Sequence, residues 1–143
     1  MISMNKITLN MVLGVICFSA LSIAFADTAP TSSPDILGTY SCTYHDATIN
    51  PPDGKEILII KKDKQNNYRM EKKGEGDSTP SIIGVGLQNK DMNHVFSFLF
   101  WWPKAPSATL VQYIVAQPDG TLEGQWVQSN RSKTGQFNCK KSS

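Results

Sequence analysis

The chain carries the sequence DGTLEGQWVQSNRSKTGQFNCK near its end, at residues 119–140. Apolar and polar side chains largely alternate over 121–128 and 133–139, and the residues between, 129–132, are all polar or charged. This alternation, interrupted by turn residues, predicts two short antiparallel strands joined by a turn. The second strand ends at Cys139. Of the two other cysteines, Cys17 lies in a predicted N-terminal signal peptide that is removed, so Cys42 is the remaining partner. A Cys42–Cys139 disulfide would join the last strand to the first, which predicts a closed or nearly closed barrel.

The first 26 residues have the pattern of an export signal. One basic residue, Lys6, precedes a short apolar run, and an Ala-Phe-Ala cleavage site ends at Ala26. The run is short for a membrane-spanning helix, and Ile16 rather than a small residue precedes Cys17, so we expect neither a membrane anchor nor lipidation. The sequence therefore predicts cleavage near Ala26 and a periplasmic or extracellular location, where a disulfide can persist.

Removing 26 of the 143 residues leaves 117, enough for one domain with a modest core. The Pro-, Ser- and Thr-rich leader 27–35 is predicted to be disordered, and the domain to span 36–143. Loss of Lys6 lowers the net charge from +2 to about +1, so no strong field indicates a nucleic acid as partner. Three lysine pairs at predicted strand ends are interpreted as solvated side chains: Lys61-Lys62, Lys72-Lys73 and Lys140-Lys141.

From Gly38 onward, the sequence predicts short strands separated by turn residues, with no long amphipathic helix. The eight predicted strands span 38–45, 56–62, 68–73, 81–88, 95–102, 109–116, 121–128 and 133–140. Because the connections are short, the predicted fold is all-β, an eight-stranded antiparallel up-and-down meander β-barrel closed by a disulfide between its first and last strands. Such a barrel is filled by its own side chains or holds one small ligand. The side chains predicted to face inward are Tyr40, Tyr44, Tyr68, Met70, Leu122, Trp126 and Phe137.

Two predicted strands have features that alternation alone does not explain. Gly84 and Gly86 in the fourth strand suit a bulge, a tight bend, or a neighbour packed closely over the backbone. The strand 95–102 is apolar on both faces, so it must expose either its Phe and Trp102 set or Leu99 and Trp101. An exposed patch of this kind normally marks an interface, here with a second copy or with another protein.

Two short motifs resemble known exported barrels. Gly38-Thr39-Tyr40 at the first strand and Gly120-Thr121-Leu122-Glu123-Gly124-Gln125-Trp126 near the end look like strand openings of lipocalin-like and avidin-like (calycin-type) proteins. The overall pattern is also similar to small exported bacterial proteins of unassigned function. This resemblance implies the barrel architecture and no particular ligand. A second likeness, at Trp101-Trp102-x-Lys104 and Ala108-Thr109-Leu110, is to the periplasmic inhibitors of c-type lysozyme.

The chain offers few residues for covalent chemistry. His45 and His94 are its two histidines, and neither has a second ligand at metal-binding spacing, so no metal or other cofactor is expected. Ser41 and His45 would lie ~13 Å apart along a regular strand, too far for a nucleophile and its base. The sequence therefore predicts a non-enzymatic exported binding protein for a small apolar ligand or a protein partner. The alternative is an inhibitor of a cell-wall or host hydrolase such as lysozyme.

Two sets of residues are candidates for these functions. In the barrel, aromatic side chains could hold a small ligand: Tyr40, Tyr44, Tyr68 and Trp126 carry a hydroxyl or indole N–H group that could orient it, and Phe137 is a further candidate. On the outside, an aromatic and basic edge could contact a protein partner, and this set is Phe98, Phe100, Trp101, Trp102 and Lys104. The same strand, Phe96 to Trp102, is the expected interface of a homodimer.

Overall fold

Eight antiparallel strands follow one another around the structure in chain order. The computed structural model describes residues 32–128 and 133–142, and the strands lie within them. They are β1 (Gly38–His45), β2 (Asp53–Lys62), β3 (Tyr68–Lys73), β4 (Ile82–Gln88), β5 (Val95–Trp102), β6 (Ala105–Ala116), β7 (Leu122–Gln128) and β8 (Lys133–Lys141). Each strand pairs with the next, and β8 pairs with β1, so the sheet closes into a barrel. The predicted all-β meander is confirmed, and the architecture is compatible with a calycin-like fold.

Two strands begin earlier than the sequence predicts. β2 begins at Asp53 rather than 56, because Tyr44 and His45 at the end of β1 pair with Gly54 and Asp53. β6 begins at Ala105 because the chain turns within two residues of Trp102, and the register shifts there. Pro106 therefore lies within β6, near its start, where a missing N–H costs little. Pairing with the preceding strand thus extends both strands into segments whose local composition favours a turn.

The Cys42–Cys139 disulfide forms as predicted. Cys42 in β1 and Cys139 in β8 lie directly opposite each other in the ladder between these strands, and both are buried. The bond therefore joins the first strand to the last, 97 residues apart in sequence. The disulfide and the hydrogen bonds between β1 and β8 therefore close the barrel between the same two strands.

Inside the barrel, glycines and aromatic rings are paired across neighbouring strands. A Cβ atom at Gly86 would lie 2.3 Å from the ring of Phe98, and one at Gly135 would lie 2.3 Å from the ring of Trp126. The glycines thus leave the space that the rings fill, which is the close packing over the backbone expected for β4. The five pairs opposite each other in the ladders are Gly54–Tyr44, Gly84–Phe100, Gly86–Phe98, Gly124–Phe137 and Gly135–Trp126.

One end of the barrel is closed by apolar side chains. Ile36, just before β1, is 1% exposed and belongs to the core. The Tyr68 ring packs edge-on against Phe96, with ring centroids 5.2 Å apart. The segment before Ile36 also contacts this end, because the Gln88 side-chain amide donates a hydrogen bond to the Ser33 hydroxyl. The predicted signal peptide and residues 27–31 of the predicted leader lie outside the described residues.

Candidate functional site

The opposite end of the barrel opens into a cavity of about 290 Å³. It lies where β1, β3, β5 and β7 end and where β2, β4 and β6 begin. Four aromatic side chains contribute to its wall, and the aliphatic residues Ile82 and Leu110 complete the apolar part. The aromatic residues are Tyr44, Phe100, Trp102 and Trp126. We refer to this space as the mouth cavity; its volume is close to the lower limit of typical small-molecule sites.

A buried ion pair lies at the base of the mouth cavity. Lys72 Nζ donates to Glu56 Oε1 over 2.7 Å, and the two side chains are 5% and 14% exposed. The same ammonium lies 5.1 Å from the centre of the Phe100 ring and 5.2 Å from that of Phe137. The faces of these rings are partly negative, so they stabilise the cation where water does not reach it. The cavity therefore combines aromatic and aliphatic side chains with this ion pair. Further polar side chains contribute to its lining: Asp46, Lys55, Lys73, Ser81 and Gln128.

The loop between β1 and β2 forms part of the rim. Its Asp46 is buried, and the Asp46 backbone N–H donates to the Pro52 carbonyl oxygen over 2.7 Å. The Thr48 backbone N–H donates to Asp46 Oδ1 over 2.9 Å, and the peptide bond between Asn50 and Pro51 is cis. The two hydrogen bonds hold the loop beside Tyr44. The loop thereby brings Ile49, which is partly exposed, to the edge of the cavity.

The structure separates the residues that the sequence nominated for ligand binding. Tyr44 and Trp126 line the mouth cavity together, and Phe137 lies just beneath it against Lys72. Tyr40 and Tyr68 face inward as predicted, but Tyr68 packs at the closed end and Tyr40 is almost completely buried in the core. Alternation correctly predicted that all five residues face inward, but it does not tell which barrel end each residue occupies.

The proposed outer aromatic edge needs a correction. Phe98 and Phe100 point into the barrel and are each 1% exposed, so neither ring is available to a protein partner. Trp102 lines the mouth cavity, whereas Leu99 and Trp101 lie on the outer face of β5 and Lys104 is exposed in the turn after it. Phe96, Phe98 and Phe100 of β5 all pack inward. Each has one ladder partner on β4 and one on β6, and these partners also face inward.

Sequence reasoning missed Glu56, Lys72 and Gln112. The interpretation of Lys72 as a solvated residue is wrong, since its side chain points into the barrel. The alternation within each strand could have identified these residues. Lys72 lies two positions after Met70 and Gln112 lies midway between Leu110 and Ile114, so both share the inward face of their strands. A polar residue in phase with an inward apolar set indicates an interior polar site.

Two larger depressions lie on the outside of the barrel. The first, about 850 Å³, runs across β6, β7, β8, β1 and β2 between two rows of outward side chains. Several of its polar groups have partners within the protein: His45 Nδ1 lies 2.7 Å from Asp53, and Glu123 accepts from Gln117 and Asn138. The second, about 560 Å³, lies over β3 to β6 and is mainly apolar. Both are formed mainly by outward-facing side chains of the sheet, whereas inward-facing aromatic side chains wall the mouth cavity, so the mouth cavity is the better candidate for a small ligand.

No protein-family model matches this sequence, and no curated protein matches it either. Within residues 32–128 and 133–142, no group of three or more His, Cys, Asp or Glu residues is placed to hold a metal ion. A helix that is long and apolar enough to cross a membrane is also not found among these residues.

Proposed function

We propose that this protein is a non-enzymatic binding protein whose barrel mouth holds one small, mainly apolar ligand. The observation that carries the proposal is the aromatic-walled mouth cavity with the Lys72–Glu56 pair at its base. Aromatic side chains supply a large contact area, and a few polar groups orient the ligand. An eight-stranded barrel has room for a single small molecule of this kind.

The buried ion pair supports a binding role because stability alone gives little reason for it. Removing two charges from water costs free energy that their attraction only partly offsets, and apolar residues of similar size often stabilise a core as well or better. At the base of the mouth cavity, however, Lys72 and Glu56 can each hydrogen-bond a polar group of a bound molecule. The pair then contributes to specificity.

Replacing Trp126 tests the site with a defined probe. The uncharged fluorophore N-phenyl-1-naphthylamine should bind the parent protein, and Trp126→Leu should weaken its binding about tenfold because a main part of the cavity wall is lost. Trp101→Leu is the matched control, since Trp101 lies on the outer face of β5. Equal affinities of the two variants would place the probe outside the mouth cavity and contradict the proposal.

We further propose that the protein functions outside the cytoplasm. The N-terminal residues have the pattern of an export signal, and a disulfide that closes the fold is consistent with an oxidising compartment. The protein should be expressed with its predicted signal peptide, residues 1–26. Intact-mass measurement of the exported protein should then give a chain that begins at Asp27. Recovery of the full-length chain in the cytoplasm would contradict this location.

A second candidate function is association through the outer apolar face, with a second copy as the partner. Val85, Leu99, Val111 and Val127 lie side by side across β4 to β7, and the last three are 44% to 52% exposed. The outward residues of β4, β5 and β6 carry no charge. A two-fold dimer places the same patch against itself, so a face without charges avoids repulsion between like groups.

Light scattering tests the dimer. The parent should have twice the mass of the monomer, whereas Val111→Glu should be monomeric because a charge is buried in the interface. Ser41→Glu, on the outer face of β1, is the control and should remain dimeric. A monomeric parent would exclude this interface.

Addition of a c-type lysozyme to that monomer tests the inhibitor alternative, which predicts a one-to-one complex through Trp101 and Lys104.

A further inference from the structure

Gln112 is a polar side chain inside an apolar barrel. It is 0% exposed, and it follows Leu110 and precedes Ile114 on the inward face of β6. Within residues 32–128 and 133–142, neither its Nε2 nor its Oε1 atom has a hydrogen-bond partner. A buried amide that lacks partners destabilises the folded state, because it has lost its hydrogen bonds to water and gained none in return.

The position of Gln112 connects it with the mouth cavity. Its ladder partner on β7 is Trp126, and the preceding inward residue of β6 is Leu110; both line the cavity. The Gln112 amide therefore occupies the interior layer directly below the cavity. The Trp126 indole packs over Gly135, which has no side chain to hold the ring from the other strand. Pairing of a bound molecule with the amide therefore requires this ring to shift.

We propose that the ligand carries a carboxamide-type group, with a donor and an acceptor side by side, that pairs with Gln112. This inference rests on the proposed small-molecule binding function. Gln112 offers an N–H donor and a carbonyl acceptor in one plane, and a second carboxamide, lactam or urea matches both. The apolar body of the ligand would remain between the aromatic side chains of the mouth cavity, whose volume suits a small molecule rather than a peptide chain.

The hydrogen-bonding groups of Gln112 favour a neutral amide over a carboxylate. Lys72 is paired with Glu56, and Lys55, Lys73 and Asp46 also line the cavity, so charge does not select the group that meets Gln112. A ligand carboxylate would accept a hydrogen bond from Gln112 Nε2 but leave Oε1 without a donor. A neutral amide satisfies both Gln112 atoms.

Three probes with the same phenylpropyl body separate these possibilities. They are 4-phenylbutyramide, 5-phenyl-2-pentanone, in which a methyl group replaces the NH₂, and the anion 4-phenylbutyrate. Isothermal titration of the parent should give at least about tenfold tighter binding of the amide than of either other probe. In Gln112→Met, a substitution of similar size, the amide should lose this advantage over the ketone.

The same variant gives a second readout on the unliganded protein. If Gln112 lacks partners without ligand, Gln112→Met should raise the melting temperature, whereas Gln125→Met on the outer face of β7 should leave both stability and probe binding unchanged. A lower melting temperature of Gln112→Met would show that Gln112 is already hydrogen-bonded in the unliganded protein, and would overturn the inference.

The two levels of the proposal can fail separately. If the parent binds the amide and the ketone equally well and both need Trp126, the mouth cavity binds ligands but the carboxamide inference is wrong. If none of the three probes binds and Trp126→Leu leaves N-phenyl-1-naphthylamine binding unchanged, the proposed function fails as well.

Discussion

Lys72 occupies a position that the alternation of β3 assigns to the barrel interior, although its charge favours solvent. Its long side chain reaches Glu56 on β2, two positions along the ladder from its own partner Leu58. The Phe100 and Phe137 rings cover the ammonium. One residue thus combines an ion pair, two ring contacts and a place at the candidate site.

Breaking this pair from one side should destabilise the protein. Lys72→Met leaves the Glu56 carboxylate without its cation in a largely buried place, and we expect a loss of about 3 kcal/mol in the free energy of unfolding, measured in urea. Replacing both residues by Met should restore most of that loss. Lys61→Met, which breaks the exposed Lys61–Glu71 pair, is the control and should cost less than about 1 kcal/mol. Equal losses for Lys72→Met and Lys61→Met would show that the interior pair is hydrated.

Two inward-facing tyrosines, Tyr40 and the partly buried Tyr68, should make the protein less stable at alkaline pH. Burial, with a smaller contribution from the charge of Asp35, raises the pKa of Tyr40 and of Tyr68 above the usual 10.0. Above pH 10.0 the unfolded chain therefore loses these protons while the folded protein keeps them. Stability is unaffected below that pH and decreases as the pH rises through the folded-state pKa values.

Melting temperatures measured from pH 8 to pH 11.5 test this dependence. The alkaline decrease should be smaller in the Tyr40→Phe/Tyr68→Phe variant than in the parent, because the titrating phenols are gone. Tyr113→Phe, on the outer face of β6, is the control and should retain the steep decrease. A double variant that follows the parent curve would assign the decrease to other groups.

At the scale of elements, the glycines of one strand and the rings of its neighbour determine how the barrel is filled. β8 contributes Gly135 opposite Trp126 and Phe137 opposite Gly124, so each of β7 and β8 supplies one glycine and one ring. Aromatic side chains cover glycine backbone across a ladder in this way in strongly curved sheets. The wall of the mouth cavity therefore depends on a residue, Gly135, that has no side chain.

Gly135→Ala should disturb both the packing and the site. Its Cβ would lie 2.3 Å from the Trp126 ring, so the indole must move, and we expect a loss of about 1–3 kcal/mol in the free energy of unfolding. Tryptophan emission should shift as the ring moves. The neighbouring outward variant Gln136→Ala is the control, since its side chain is exposed. If the two variants have the same urea midpoint and emission maximum, the ring does not pack on Gly135 in solution.

At the scale of the whole molecule, the disulfide closes a loop that contains nearly all of the domain. In the chain-entropy model, a cross-link between residues 97 apart stabilises the folded state by roughly 4–5 kcal/mol. The Cys42→Ala/Cys139→Ala variant should therefore have a much lower urea midpoint than the unreduced parent. The reduced parent should unfold close to the variant. Two reactive thiols in the unreduced, unfolded chain that begins at Asp27 would contradict the bond.

The sequence by itself determined most of the barrel. Alternation with a period of two is a local property, so it placed seven interior side chains correctly, from Tyr40 in β1 to Phe137 in β8. Turn residues separated the strands, and short connections determined their order. The pairing of Cys42 with Cys139 followed from the small number of cysteines and the predicted export. Local signals sufficed here because each strand faces one interior and one exterior environment.

Only the tertiary structure decided where the candidate site lies. Which barrel end is open depends on Ile36 and Tyr68 at the other end, and their contacts with Phe96 and other core residues come from distant strands. The burial of Lys72 depends on Glu56, and the isolation of Gln112 depends on its neighbours across two ladders. Strand parity indicates the side of the sheet, but burial and hydrogen bonding are properties of the closed barrel, because they depend on what the other seven strands place around a residue.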